Sequence, residues 1–327
     1  MISKARNREL DENVAVDVNR VRFPLIILGA SIAVWLLLCA AIGVLATEGA
    51  LHPPRLALDA ERYQRAADIA AENHAGLRDV EISASDGAKL RAWSIRPATE
   101  NGDAVLLLHG VSDNRAGMLG PAQMLLRHGY TVLLPDARAH GMSGGPIATY
   151  GVLEADDIRR WFEWLRKDQA PHCIDGVGDS MGAAELLQSL DMEPGFCAVA
   201  AESPFASFRE AAYDRLGQQF STGPWLGRTL LLPVFGIGME YARLRYGVDL
   251  RDAAPAKSVA KTSVPVLLIH GLADTNLPPR HSEMMKAAVP AVVLWEPSGA
   301  DHCGASIAAP AEYERKVVGW FASHDSR

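Results

Sequence analysis

Apolar and polar positions follow three rhythms along this chain. From Phe23 to Ala46 no charge interrupts the sequence FPLIILGASIAVWLLLCAAIGVLA. At a rise of ~1.5 Å per residue this run can cross a hydrocarbon core of ~30 Å, and it lacks the polar stripe of a core helix. The pattern predicts a transmembrane helix over 23–46, after a polar amino-terminal segment, 1–22, and before a helical linker, 47–78. Within that linker, Leu51–Gly76 sets apolar residues at helical spacing with mixed charges between. A cleaved signal peptide, cut after Val44-Leu45-Ala46, is the rival reading. The polar lead is too long for it, and the run exceeds the roughly 7–15 residues of a signal core.

A second rhythm, of period two, covers Val80–Ala84 and Leu90–Ile95, with Asp86-Gly87 between them as a hairpin turn. The third is an exchange of short apolar runs with amphipathic stretches. Ala104–Leu108, Thr131–Leu134, Cys173–Val177, Phe196–Ala201, Val264–Ile269 and Ala291–Trp295 are the runs; Val152–Lys167 and Met181–Leu190 are among the helices between them. Strands apolar on both faces and separated by helices predict a mostly parallel central sheet flanked by helices, an α/β domain over 79–327. About sixty residues, 204–263, interrupt the rhythm where a crossover needs far fewer. Their richness in Leu, Phe, Tyr, Trp and Arg predicts a helical cap insert.

A net charge of −7 argues against nucleic acid as a partner, since such surfaces are basic. The first 22 residues carry five Lys/Arg and the 19 after the span carry three, which points to a cytoplasmic amino terminus with the remaining domain across the membrane. None of the four cysteines has zinc-site spacing. Cys173 and Cys197 each open a predicted strand, and a bridge between them is conceivable; the redox compartment stays open on sequence grounds.

Gly178-Asp179-Ser180-Met181-Gly182 is a G-x-S-x-G motif between a predicted strand and a predicted helix. On such a turn a serine is held in a strained conformation with its hydroxyl above the sheet, and the helix amino terminus offers N–H groups to developing negative charge. Of ten histidines, His302 follows the last strand in a loop from which an imidazole can reach that serine. His281 opens a helix and reads equally as a surface residue; His109 and His270 read as structural. Asp274, at the carboxyl end of a strand, is the expected orienting acid, where the sites of open α/β sheets gather. Glu202 holds the rival position. Asp301 is discounted because chain neighbours rarely face each other.

Leu108-His109-Gly110, Asp136-Ala137-Arg138-Ala139-His140-Gly141, the Ser180 motif, His270-Gly271-x-x-Asp274 and Asp301-His302 together resemble the α/β-hydrolase superfamily. More narrowly, they resemble its serine-aminopeptidase-like and membrane-anchored serine hydrolases, from about Val80 to Phe321. Ala139 departs from that pattern, which usually has Gly, and no His-Gly-Gly-Gly oxyanion loop is present. The resemblance implies that the backbone N–H groups of Val111 and Met181 form the oxyanion hole. It implies an α/β-hydrolase fold and a serine hydrolase cleaving an ester, thioester or amide through Ser180, His302 and Asp274, with no metal or organic cofactor. An acyltransferase using the same acyl-enzyme, and a non-catalytic membrane-tethered binding module, are the alternatives.

Overall fold

The computed structural model describes residues 18–325; most of the 1–22 polar segment lies outside them. Eight strands form one sheet in the order β1-β2-β4-β3-β5-β6-β7-β8. β1 (Ala75–Ser83) and β2 (Lys89–Pro97) pair antiparallel over nine residues, and β2 pairs antiparallel with β4 (Thr131–Pro135). From β4 through β3 (Ala104–Leu108), β5 (Ile174–Asp179), β6 (Val199–Glu202) and β7 (Val266–Ile269) to β8 (Val293–Trp295) all pairing is parallel. β3 and β5 are neighbours, but the chain leaves them toward opposite edges. The connections that follow their paired carboxyl ends therefore diverge and leave a crevice.

β3, β4, β6 and β7 are buried along their whole length, the physical reason their sequences lack alternation. The solvent-side partner of β2 shows the opposite pattern, half-buried and exposed residues alternating along β1. Helices cover both faces; Trp161, Phe162 and Leu165 of the helix Glu154–Gln169 and Val317 and Phe321 of the last helix, Pro310–His324, are their buried contacts.

The long amino-terminal helix, α1 (Val18–Leu51), is apolar and long enough over Arg22–Leu51 to cross a membrane, and only 6% of its most apolar stretch is buried, unlike a core helix. The expected linker helix differs. Pro53 and Pro54, which lack N–H groups, end α1's course, and a shorter helix, α2 (Ala60–Glu72), starts afresh with Asp59 accepting from Arg62 N–H. Ala75 and Gly76, read as helix end, are claimed instead by the nine-residue ladder with β2.

The carboxyl end of α1 docks on the domain. Trp35 is half-buried and Cys39, Gly43, Thr47 and Leu51 are buried, a contact stripe at every fourth residue. Between β6 and β7 the inserted segment is helical, with α3 (Phe208–Phe220), a short turn of helix at Trp225–Arg228, α4 (Leu232–Tyr246) and the turn Pro255–Val259. α1 lies against α4. A Cβ on Gly43 would sit 2.4 Å from Val234 O, and one on Gly238 would sit 2.9 Å from Gly43 O, so the two helices meet backbone to backbone. Tyr241 and Tyr246 donate to Glu48 Oε1 (2.6 and 2.7 Å), and Tyr150 donates to Ala50 O (2.8 Å). Leu51 enters a small core with Ile147, Met239 and Ala242.

Cys173 and Cys197 are bonded, with Cα atoms 5.7 Å apart. The adjacency of β5 and β6 brings them together, a pairing that strand register creates and sequence spacing does not reveal.

Candidate active site

β5 ends at Asp179 and the helix Met181–Ser189 begins at once, so Ser180 must turn the chain by itself. It does so at φ +53°, ψ −109°, a conformation costly for any residue with a Cβ. The turn is tight because its glycines permit backbone contact. A Cβ on Gly178 would lie 2.6 Å from Ala183 N, and one on Gly182 would lie 2.4 Å from Leu108 O. Any side chain at either position forces strand and helix apart. Ser180 N–H donates to Glu202 O (2.8 Å), tying the turn to β6.

Two further loops converge on this hydroxyl. His302, in the loop after β8, has Nε2 2.9 Å from Ser180 Oγ and Nδ1 2.8 Å from Asp274 Oδ2. Asp274 Oδ1 accepts from the N–H groups of Asn276 (2.9 Å) and Leu277 (2.8 Å), which fix the carboxylate after β7. Burial opposes its charge, but the bonds from His270, His302 and Leu277 N–H outweigh that and hold its carboxyl well below the usual range. An ionised Asp274 accepts the Nδ1–H and leaves Nε2 as the acceptor for the Ser180 hydroxyl.

Val111 follows β3, across the crevice from Ser180. A Cβ at Gly110 would be 3.5 Å from Ser180 Cβ, so the β3 loop passes directly over the turn. Met181 is the first residue of its helix, and its N–H has no partner within that helix. Val111, Ser180 and Met181 line one cavity.

The rival residues lie elsewhere. Glu202 Oε1 accepts from Ala305 N–H (2.8 Å), so this acid braces the loop carrying His302; burial pushes its carboxyl up to about 7. Asp301 is exposed. His109 is buried between Gly110 O (2.8 Å) and Ala137 N (3.1 Å), and His270 bonds Ser282 Oγ (2.7 Å) and Leu277 O (2.8 Å). His281, which reads equally as a surface residue in the sequence, is fully buried: its Nε2 meets Asp214 Oδ2 at 2.8 Å and its Nδ1 accepts from Ala206 N–H. Its partner lies 67 residues away in the cap, out of reach of local pattern. Ala139 takes φ +58°, a left-handed position that a glycine would fill without strain.

The cavity has a volume of about 470 Å³, within the usual range for small-molecule sites. Phe205, Phe208, Phe235, Met239 and Leu277 make most of its wall apolar, and Arg215 is the one charged side chain among its lining residues. Ile42, Gly43, Ala46, Thr47 and Ala50 of α1 complete it. Neither Arg215 nor this contribution from α1 stands out in the sequence, because an apolar helix without a polar stripe does not announce which side it docks.

Residues 105–316 match the Alpha/beta hydrolase family. Among curated proteins, the chain is 28% identical over 207 residues to the uncharacterized protein YqkD of Bacillus subtilis, covering 62% of this chain and 65% of that protein. It is 31% identical over 217 residues to the uncharacterized protein Rv2307c of Mycobacterium tuberculosis, covering 64% and 66%. Less than two thirds of each relative's length is thus spanned. Among solved structures, the esterase Pf2001 of Pyrococcus furiosus superposes with a TM-score of 0.66 at 24% identity, over 84% of this chain and 98% of that one. The acylaminoacyl peptidase of Pyrococcus horikoshii superposes with a TM-score of 0.59 at 17% identity, over 77% and 42%. These two likenesses concern the fold.

Proposed function

The chain belongs to the alpha/beta hydrolase family, and from that premise we propose that it is a membrane-anchored serine hydrolase that cleaves a carboxylic ester, thioester or amide. The observation that carries the reading is the relay from Asp274 through His302 to Ser180, at 2.8 and 2.9 Å, assembled from three loops at the carboxyl ends of three strands. Ser180 Oγ attacks the carbonyl carbon while His302 Nε2 takes its proton. Asp274 keeps the imidazole in the required tautomer and stabilises the imidazolium. The oxyanion binds to the N–H groups of Val111 and Met181, each such donor contributing about 3 kcal/mol to the lowering of the barrier. As the tetrahedral centre collapses, His302 returns the proton to the leaving alcohol, thiol or amine. Water then attacks the acyl-enzyme with His302 as base, releasing the carboxylic acid and restoring Ser180.

The anchor is α1, crossing the bilayer over its apolar stretch. The excess of Lys/Arg before the span supports an amino terminus in the cytoplasm and a catalytic domain on the opposite side. The Cys173–Cys197 bond supports that side, because disulfides persist in oxidising compartments.

The test is direct. A fluorophosphonate probe should label Ser180 of the full-length protein, and Ser180→Ala should cut p-nitrophenyl ester hydrolysis by at least about 10⁴-fold. Unlabelled Ser180, or an alanine variant as active as the parent, would end the proposal.

A further inference from the structure

The apolar run of α1 does two things at once: it is the stretch that spans the bilayer, and its last turns are a wall of the cavity holding Ser180. Ile42, Gly43 and Ala46 belong to the uncharged sequence Phe23–Ala46 and also line that cavity. A tether that set location alone would be separated from the site by a linker. Here the membrane segment reaches the nucleophile's chamber without one.

The cap continues this surface. Gly43 meets Val234, and the later residues Thr47 and Glu48 meet Gly238, Tyr241 and Tyr246, so α1 and α4 run in the same direction. Residues just before Val234 therefore lie beside earlier, more deeply apolar turns of α1. Leu230 and Leu232 occupy that position and are exposed, as is Trp225 on the preceding turn of helix. Exposed large apolar side chains next to a membrane span are an expected feature of a surface that sits in the headgroup and acyl boundary. Phe208, Phe235 and Met239 of the cap and Ala46 of α1 line the same cavity as Ser180. A hydrocarbon chain passing along it would stay out of water.

We infer that the cavity admits its substrate sideways from the bilayer, between α1 and α3 of the cap, whose residues face each other across the cavity, and not through the closed seam of α1 with α4; the substrate is a membrane-resident ester whose acyl chain lies against Ile42, Gly43 and Ala46. This rests on Ser180 being the nucleophile, as proposed above. It adds what that reading leaves open, namely the substrate class and the route in.

The full-length protein is reconstituted in phosphatidylcholine vesicles holding a few mole per cent of the hexadecanoyl ester of 4-methylumbelliferone. p-Nitrophenyl acetate is supplied in the water as the short ester. Wild-type protein should cleave the long ester at least about ten-fold faster when it shares the protein's vesicles than when it sits in separate ones. Ala46→Trp, which puts an indole into the cavity wall, should lower the ratio of long-ester to short-ester rates by about ten-fold or more. Leu45→Trp, one residue along on the outward face of the same helix, should leave that ratio within about two-fold. Equal rates from shared and separate vesicles overturn lateral entry, and this arm needs no variant to fold. An unchanged ratio in Ala46→Trp overturns the acyl subsite. If wild-type protein takes the fluorophosphonate and cleaves only the short ester, the membrane substrate is wrong while Ser180 stands. Long-ester cleavage that survives Ser180→Ala sinks the catalytic reading instead.

Discussion

The rim of the sheet and the junction of α1 with the cap solve the same problem, holding groups at fixed separations, by different means. At the rim each candidate residue is pinned by directional bonds. Asn276 and Leu277 N–H hold Asp274, Ala305 N–H ties the His302 loop to Glu202, and Ser180 N–H is bonded to β6. At the junction the fit comes from missing side chains. Gly43 and Gly238 let two helices touch through their main chains, and the bonds of Tyr241 and Tyr246 to Glu48 close the contact at its far end. Directional bonds fix orientation, which a proton relay needs; close packing fixes separation, which an apolar wall needs.

Four changes test this contrast, from the largest effect to the smallest. Asp274→Asn keeps the shape of the rim and loses the charge that sets the imidazole tautomer, so kcat should fall by about 10⁴-fold while the melting temperature moves little. A kcat loss of only a few-fold would mean that orientation at the rim matters less than proposed.

Glu202 gives the rim a pH signature. Its folded-state value of about 7 lies above the unfolded 4.5, so the folded state holds a proton that the unfolded chain releases between those values. Stability from this group is complete below about pH 4.5 and is lost as pH rises through 7, a change on the order of 3 kcal/mol. Melting curves from pH 4.5 to 8 should show stability falling, and Glu202→Gln should make that slope shallower, the buried carboxyls of Asp179, Asp175 and Glu185, raised in the same direction, supplying the remainder. A slope identical in both proteins would remove Glu202 from the account.

Opening the Cys173–Cys197 bond, by substituting both with serine, should cost about 3 kcal/mol for a loop closed over 24 residues, with the esterase rate retained at temperatures where the protein stays folded. The bond lies before β5 and β6, at the end of the strands remote from Ser180. The smallest change expected is at the junction. Gly43→Leu places a side chain where Val234 O stands and should lower stability in detergent by roughly 1–3 kcal/mol through overpacking. Unaltered melting would show that the helices do not depend on close approach.

The same contrast explains what the sequence discloses. β3, β4, β6 and β7 are legible because burial on both faces leaves unbroken apolar runs. Ser180, Asp274 and His302 are legible as candidates because each follows a strand at the end where loops converge, and the structure brings all three within hydrogen-bonding distance. The buried state of His281 is not legible, since its partner Asp214 comes from the cap 67 residues away. Nor is the docked stripe Cys39, Gly43 and Thr47, because small residues in an apolar run read the same whether they face lipid or another helix. The start of β1 is hidden for a third reason: Ala75 and Gly76 suit the end of a helix until a neighbouring strand offers them a ladder.

The clamp on α1 at Glu48, Ala50 and Leu51 has a geometric outcome. From Ala46 to Leu51 the helix rises roughly 8 Å at ~1.5 Å per residue, and the domain grips it along that whole length. The tether is a post and not a leash. On the proposed reading, in which α1 spans a bilayer and Ser180 is the nucleophile, Ser180 rides at one fixed altitude above the lipid tails, so the protein would measure depth as well as chemistry, sparing bonds that lie too high or too low in the leaflet.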